Sequence, residues 1–133
     1  MSGTKQMNFY YDKVGIIRVI DGDTIVCKIT VDIGFKVYAE MTQVVRLAGI
    51  NAPEIRGVEK LDGLLSKGYL LTRVQKAQIV NSDFKLRTFK TDSFGRYVAE
   101  LYIDNKNINK ELVQEGFAKE DKRFKYGDNS TSA

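Results

Sequence analysis

Strands dominate this chain, and their order around a single long helix limits the folds open to it. Phe9 to Val19 reads as extended, with Val14, Ile16, Ile17 and Val19 as its apolar members. The D-G-D of Asp21, Gly22 and Asp23 is a turn, since Gly permits positive φ and Asp bonds its own backbone. Thr24 to Val31 alternates, with Ile25, Cys27 and Ile29 on one face. Asp32, Ile33 and Gly34 make a second turn. Phe35 to Ala48 is a third run, carrying Val37, Val44, Val45 and Leu47. These runs form a meander. From Asp62 to Val80 the spacing turns helical: Leu61, Leu64, Leu65 and Leu71 form a stripe that drifts through Val74 and Ala77. Gly63 and Gly68 interrupt it at about 1 kcal/mol each relative to Ala, and Gly68 is the candidate for close approach to the sheet. Phe84 to Phe89 alternates again, Thr91 to Gly95 turns, and Tyr97 to Ile103 returns. Asn107 can cap a short helix from Ile108 to Glu115, which Gly116 ends. The fold expected is α+β and mainly β. It is a five-stranded Greek-key barrel of the OB type, with a helix between strands 3 and 4 and a short helix after strand 5.

At 133 residues the chain is one domain's worth. Its expected extent is 8–126, followed by a Gly-, Ser- and Thr-rich tail over 127–133 that should fray. There is no histidine, and Cys27 is the only cysteine. Histidine-based triads, intramolecular disulfides and cysteine zinc sites are thereby excluded, and Cys27 is expected in the core. Any catalysis must use carboxylates, Arg, Lys, Tyr, Ser or Thr. The net charge of +4 suits a polyanionic partner such as nucleic acid. No stretch approaches the roughly 20 apolar residues of a membrane span. Met1 to Asn8 is polar, without the basic start and apolar run of a secretory signal.

Four clusters could carry chemistry. Asp21-Gly22-Asp23-Thr24 offers two carboxylates for a hard cation, and serves equally as a plain hairpin turn. Arg46 interrupts an apolar run, where an Arg can also simply face solvent. Asn51-Ala52-Pro53-Glu54 follows it, and Pro53 would stiffen the loop that aims Glu54. Gly95-Arg96 follows the last hairpin turn. Lys60, Lys67, Arg73 and Lys76 read as a solvated helix face.

Taken singly these decide nothing, but their order does. D-G-D-T at 21–24, V-R-L-A-G-I-N-A-P-E at 45–54, G-V-E-K at 57–60, F-G-R-Y at 94–97 and N-I-N-K-E-L-V-Q-E-G-F-A at 107–118 occur in sequence. This pattern, from about Val14 to Lys119, resembles the staphylococcal (micrococcal) nuclease or thermonuclease family, whose OB-type barrel agrees with the element order. The resemblance implies a Ca²⁺-dependent nuclease. Asp23 takes the place of the main Ca²⁺ ligand and Asp21 that of an outer-sphere supporter. Asn51 stands where the staphylococcal enzyme has a second carboxylate ligand, and the Ala52 carbonyl would add another oxygen. Arg46 and Arg96 match the two phosphate-binding arginines, and Glu54 matches the general base. Phe124 or Tyr126 would stack a base, worth about 1–3 kcal/mol each.

The chemistry is consistent with those types. A phosphodiester repels nucleophiles and gathers charge in its transition state, which Arg forks and a divalent cation offset. The implied reaction is hydrolysis of DNA and RNA at the 5′ P–O bond, leaving 3′-phosphates, with single strands preferred. A non-catalytic single-stranded nucleic-acid-binding module is the alternative, but such a module has no use for a glutamate beside the phosphate. Asn51 removes one formal charge, which should weaken Ca²⁺ binding. Ser93 and Phe94 replace a Lys and a Tyr before the Gly-Arg pair. Lys122 falls near a tyrosine position, the third helix has no counterpart, and the longer segment around Asp32–Phe35 implies an extended hairpin. A monomer is expected. The G-I-N-A-P-E form is similar to that of phage and bacterial members without secretion signals, which favours an intracellular or phage-borne protein over a secreted one.

Overall fold

A computed structural model describes residues 9–91 and 95–124. The elements, in chain order, are strands β1 (Phe9–Tyr11), β2 (Val14–Asp21), β3 (Thr24–Gly34), β4 (Val37–Leu47) and β5 (Ile50–Asn51), a 3₁₀ turn (Gly57–Glu59), helix α1 (Lys60–Ile79), strands β6 (Phe84–Thr91), β7 (Tyr97–Ile103) and β8 (Lys106–Asn107), helix α2 (Ile108–Gln114) and strand β9 (Lys119–Glu120). The fold is mostly β with two helices, as the order of elements predicts. The expected end at residue 126 and the tail over 127–133 lie outside the described residues, as do Ser93 and Phe94.

The main sheet is mixed, in the order β1-β6-β7-β4-β3-β2, with β8 added to β7. Among the described residues its one parallel pairing joins Val45, Arg46 and Leu47 of β4 to Tyr97, Val98 and Ala99 of β7. The sheet agrees with the expected OB-like α+β fold and does not close on itself. Among the described residues the hydrogen-bonded path has two ends, β1 and β2, which are consecutive in the chain. The single N-terminal strand read from the sequence is broken at Asp12 and Lys13: its first part pairs with β6 and its second with β3. The break itself is tied down by the Thr30 N–H donating to the Lys13 carbonyl at 3.0 Å.

The long hairpin expected between the second and third strands is present, with its turn moved. Asp32 caps the Gly34 N–H at 2.8 Å, which explains the turn signal there. The strand nevertheless runs on to Gly34, and the chain reverses through Phe35 and Lys36, both at left-handed φ (57° and 61°). Two non-glycine residues in that region mark a strained turn that residue type does not advertise.

The core follows the period-2 reading. Ile25, Cys27, Ile29, Val45, Leu47, Leu86, Leu101 and Ile103 are buried in one cluster with Leu70, Val74, Ile108 and Leu112 of the helices. Helix α1 corrects the leucine stripe. Leu61, Leu64 and Leu65 are 70%, 46% and 55% exposed, and the buried face is Gly63, Ser66, Leu70, Val74 and Ala77. Small residues face inward at its first turns because the helix packs there on backbone. A Cβ on Gly63 would overlap the Glu54 carbonyl, and one on Gly22 would overlap the Ser66 side chain. Gly68, the close-approach candidate, faces open space. Arg73 leaves the expected solvated face to pair with Glu111 at 3.0 Å.

Candidate active site

The turn after β2, the end of β4, the β5 loop, the start of β7 and the first turns of α1 converge on one cleft of about 750 Å³. Asp21, Asp23, Arg46, Asn51, Ala52, Glu54 and Arg96 all line it. Residues up to 75 positions apart in sequence, 21 to 96, thus meet at one end of the sheet. Phe124 lies outside the cleft, edge-on to Phe89 at 5.7 Å and against Ala48 and Val98. Tyr126 falls outside the described residues.

Each side chain is held for a local reason. Asp21 accepts the Asp23 N–H at 3.1 Å, the bond that makes D-G-D a turn. Asp23 is thereby aimed inward. Its Oδ1 accepts from the Thr24 hydroxyl at 3.1 Å and its Oδ2 from the Ala52 N–H at 2.8 Å. Its carbonyl accepts the Leu47 N–H at 2.8 Å, fixing the turn against the end of β4. Burial and the adjacent Asp21 carboxyl push the Asp23 carboxyl up to about 6, against the pull of Arg46 and the Ala52 amide.

Arg46 sits across from Thr24 in the β3–β4 ladder and beside Val98 of β7. Its guanidinium is fixed on three sides. Nη1 donates to the Leu47 carbonyl at 2.8 Å and lies 3.4 Å from Asp23 Oδ2, while Nη2 donates to Asn51 Oδ1 at 2.6 Å. The even choice between cleft and solvent is settled in favour of the cleft. Glu54 is exposed at the cleft wall, and its N–H donates to Glu59 Oε1 at 3.2 Å. Arg96 enters half-buried from the start of β7.

Sequence reasoning missed several of the supports. Glu59 and Asp62 from the start of the helical segment line the same wall; G-V-E-K is part of the ordered pattern, yet nothing in it says that Glu59 meets Glu54. Ser66 donates to the Phe117 carbonyl at 2.8 Å, fastening α1 to the cleft's far side. Buried Asn109 donates to the carbonyls of Ala48 and Ala99 at 2.9 and 3.1 Å and accepts the Leu101 N–H at 3.1 Å. It ties α2 to the β4–β7 junction that carries Arg46.

The lining holds the carboxylates Asp21, Asp23, Glu54, Glu59 and Asp62 against the cations Arg46, Arg96 and Lys119. That surplus would repel a polyanion unless a cation offset it. Among the described residues no three His, Cys, Asp or Glu side chains converge as a metal cluster. A cation here would draw on Asp23, with Asp21 behind it, and on amide and carbonyl oxygens and water. An all-oxygen set of this kind suits a hard cation such as Ca²⁺, and a buried carboxyl pushed upward would be relieved by one.

An OB-like α+β domain with a polar cleft at the mouth of its sheet is the class these features define. The sequence profile of the staphylococcal nuclease homologues matches residues 44–132, so the chain belongs to that family. It is also 28% identical over 132 residues to the uncharacterized protein MJ1439 of Methanocaldococcus jannaschii, an alignment covering 83% of this chain. The chain spans 58% of that relative's length. Family membership supports a nuclease-type or nucleic-acid-binding module. No helix among the described residues is long and apolar enough to cross a membrane.

Proposed function

We propose that this chain hydrolyses phosphodiester bonds of DNA and RNA, with single strands preferred, using Ca²⁺, two arginines and one glutamate. The observation that carries the reading is the convergence of Arg46, Arg96 and Glu54 on one cleft with Asp21 and Asp23. In the proposed roles Arg46 and Arg96 grip the non-bridging phosphate oxygens, and their forks match the charge that grows there. Glu54 takes a proton from water, whose oxygen attacks phosphorus. The P–O5′ bond breaks, the 5′ oxygen leaves with a proton from solvent, and a 3′-phosphate remains. Asp23 and the Ala52 carbonyl would hold Ca²⁺, with Asp21 in the outer sphere. Asn51 Oδ1 already accepts from Arg46, and its second lone pair is left for the cation. When bound, Ca²⁺ would neutralise phosphate charge. Phe124, packed on Phe89 outside the cleft, would reach a base only on an extended substrate.

The test is cleavage of heat-denatured DNA in Ca²⁺, in Mg²⁺ and in chelator, with Glu54→Gln alongside. Glu54→Gln is expected to lower kcat by about 10²–10⁴-fold, the usual cost of losing a general base, while binding of a single-stranded oligonucleotide is retained. Equal turnover in both proteins would overturn the assignment of Glu54. Binding without cleavage by the wild type would leave a single-strand-binding module.

A further inference from the structure

A line of side chains leads away from Arg46 across the sheet. In the β4–β7 ladder Arg46 lies beside Val98, and Val98 packs with Ala48, Phe89 and Phe124 in a small cluster apart from the main core. Phe89 leads on to Arg87, whose guanidinium carbon stands 4.7 Å from the centre of the Phe89 ring and 5.7 Å from that of Tyr10. Tyr10 is matched to Arg87 across β1 and β6, and Arg87 to Glu100 across β6 and β7, so these side chains share one face. From β4 to β1 the line crosses three strand spacings of about 4.8 Å each.

Arg87 stands in this line as an under-used donor. The two oxygens of buried Glu100 are taken by the Tyr102 hydroxyl at 2.8 Å and by Asn107 Nδ2 at 3.2 Å. Arg87 Nη1 stands 3.7 Å from Glu100 Oε1, beyond hydrogen-bond reach. Its buried Nε has no partner among the described residues. Glu100 thus offsets the charge of the arginine without closing a hydrogen bond to it. The Phe89 and Tyr10 rings lie against the guanidinium, 21% of the side chain stays exposed, and Tyr10 itself is 72% exposed. Across β1, β6 and β7 the cations are Lys85, Arg87 and Lys90, and the one carboxylate is Glu100, which is buried.

We infer that the face of β1, β6 and β7 beside the cleft is a second subsite for single-stranded nucleic acid, where Tyr10 stacks a base and Arg87 binds a phosphate of the strand that the cleft holds. An arginine that served only to hold Glu100 would bond its oxygens and would need no exposed ring beside it. Rings alternating with cations are what a single strand requires, since every base has a face to stack and every linkage a charge. A guanidinium packed against rings keeps its edge for a phosphate. Continuity with Arg46 makes the occupant the same strand. The inference rests on the proposed nucleic-acid role of the cleft.

The experiment compares two dye-labelled oligothymidylates of about 3 and about 12 nucleotides, below and within the roughly 4–16 that one OB-type fold covers. Their binding to wild type, Tyr10→Ala and Arg87→Gln is measured in chelator across a salt series. Cleavage of denatured DNA by the wild type in Ca²⁺ is read in parallel. Tyr10→Ala is expected to weaken binding of the longer strand by about tenfold, the scale of one lost base stack. Arg87→Gln is expected to weaken it too, and to lower the slope of log affinity against log salt by about 0.7, the share of one phosphate contact. Neither is expected to change binding of the shorter strand. Tyr10 lies on an end strand of the sheet and outside the core, so its variant decides the matter even if Arg87→Gln, which strips Glu100 of its counter-charge, melts early. Longer-strand affinity equal to wild type in Tyr10→Ala would overturn the inference, and so would equal losses at both lengths, the sign of damage reaching the cleft. Losses confined to the longer strand, in a protein that cleaves nothing, would sink the nuclease reading and leave the subsite standing. Cleavage by the wild type without such losses would do the reverse. A wild type that binds neither strand overturns both.

Discussion

Asn109 shows why an amide can matter as much as a charge. It is buried, and its bonds to Ala48, Ala99 and Leu101 replace pairing that the β4–β7 junction would otherwise lack. Asn109→Leu keeps the branched shape and strands a carbonyl and an N–H in the interior. We expect a loss of about 2–4 kcal/mol, since each buried unsatisfied group costs about 1–3, measured by urea denaturation. A loss within about 0.5 kcal/mol, the norm for surface changes, would show that water or relaxation replaces those bonds. The contrast with Arg46 and Glu54 also explains what the sequence reveals of the site. Arg46, Asn51 and Glu54 stand within one short stretch, V-R-L-A-G-I-N-A-P-E, whose place in the ordered motif singled them out. Asn109 reaches a carbonyl 61 positions away, and Ser66 one 51 positions away. No local spacing encodes such relations.

Helix α1 is where periodicity misleads, and the reason is physical. Leucines at three- and four-residue spacing normally mark the buried face. Here the inward face at the first turns is Gly63 and Ser66, because the helix must come down onto the Asp21–Asp23 turn and the Glu54 loop. Backbone packed on backbone leaves no room for leucine, so Leu61, Leu64 and Leu65 remain outside. The strands were legible because alternation depends only on two faces. The helix was not, because its burial is set by loops distant in sequence. Two substitutions separate the faces. Leu70→Ala is expected to cost about 2–5 kcal/mol, as for any large core truncation, and Leu61→Gln less than about 0.5. Gly63→Ala tests the contact with the site. Its methyl group must displace the Glu54 carbonyl, so kcat is expected to fall by about 10²-fold, the effect of a misplaced reacting group. A Gly63→Ala protein with full turnover would mean that the loop yields without moving Glu54.

The core and the cleft are built to be separable. The main cluster joins every long strand to both helices without using a cleft carboxylate, so folding does not wait for a cation, unlike that of small domains that collapse only around metal. The cleft instead holds Asp23 in a setting that burial makes unfavourable for its charge. Such a site should be destabilising when empty and stabilising when filled. Binding only to the native state adds about 2.7 kcal/mol when Ca²⁺ is at 100 times its Kd, which for a domain of this size is a Tm rise of roughly 10 °C. Asp23→Asn removes the disfavoured charge and the proposed principal ligand together. Its Tm in chelator is therefore expected to exceed that of the wild type, and its rise with Ca²⁺ to vanish. Those two changes have opposite consequences for function: the variant gains stability and loses turnover, the exchange expected where a site rather than the fold demands a residue. Thermal denaturation of both proteins, in chelator and across a Ca²⁺ series, separates the effects. A variant that melts lower in chelator would make Asp23 a support of the fold through Thr24 and Ala52, and a retained Ca²⁺ shift would place the cation elsewhere.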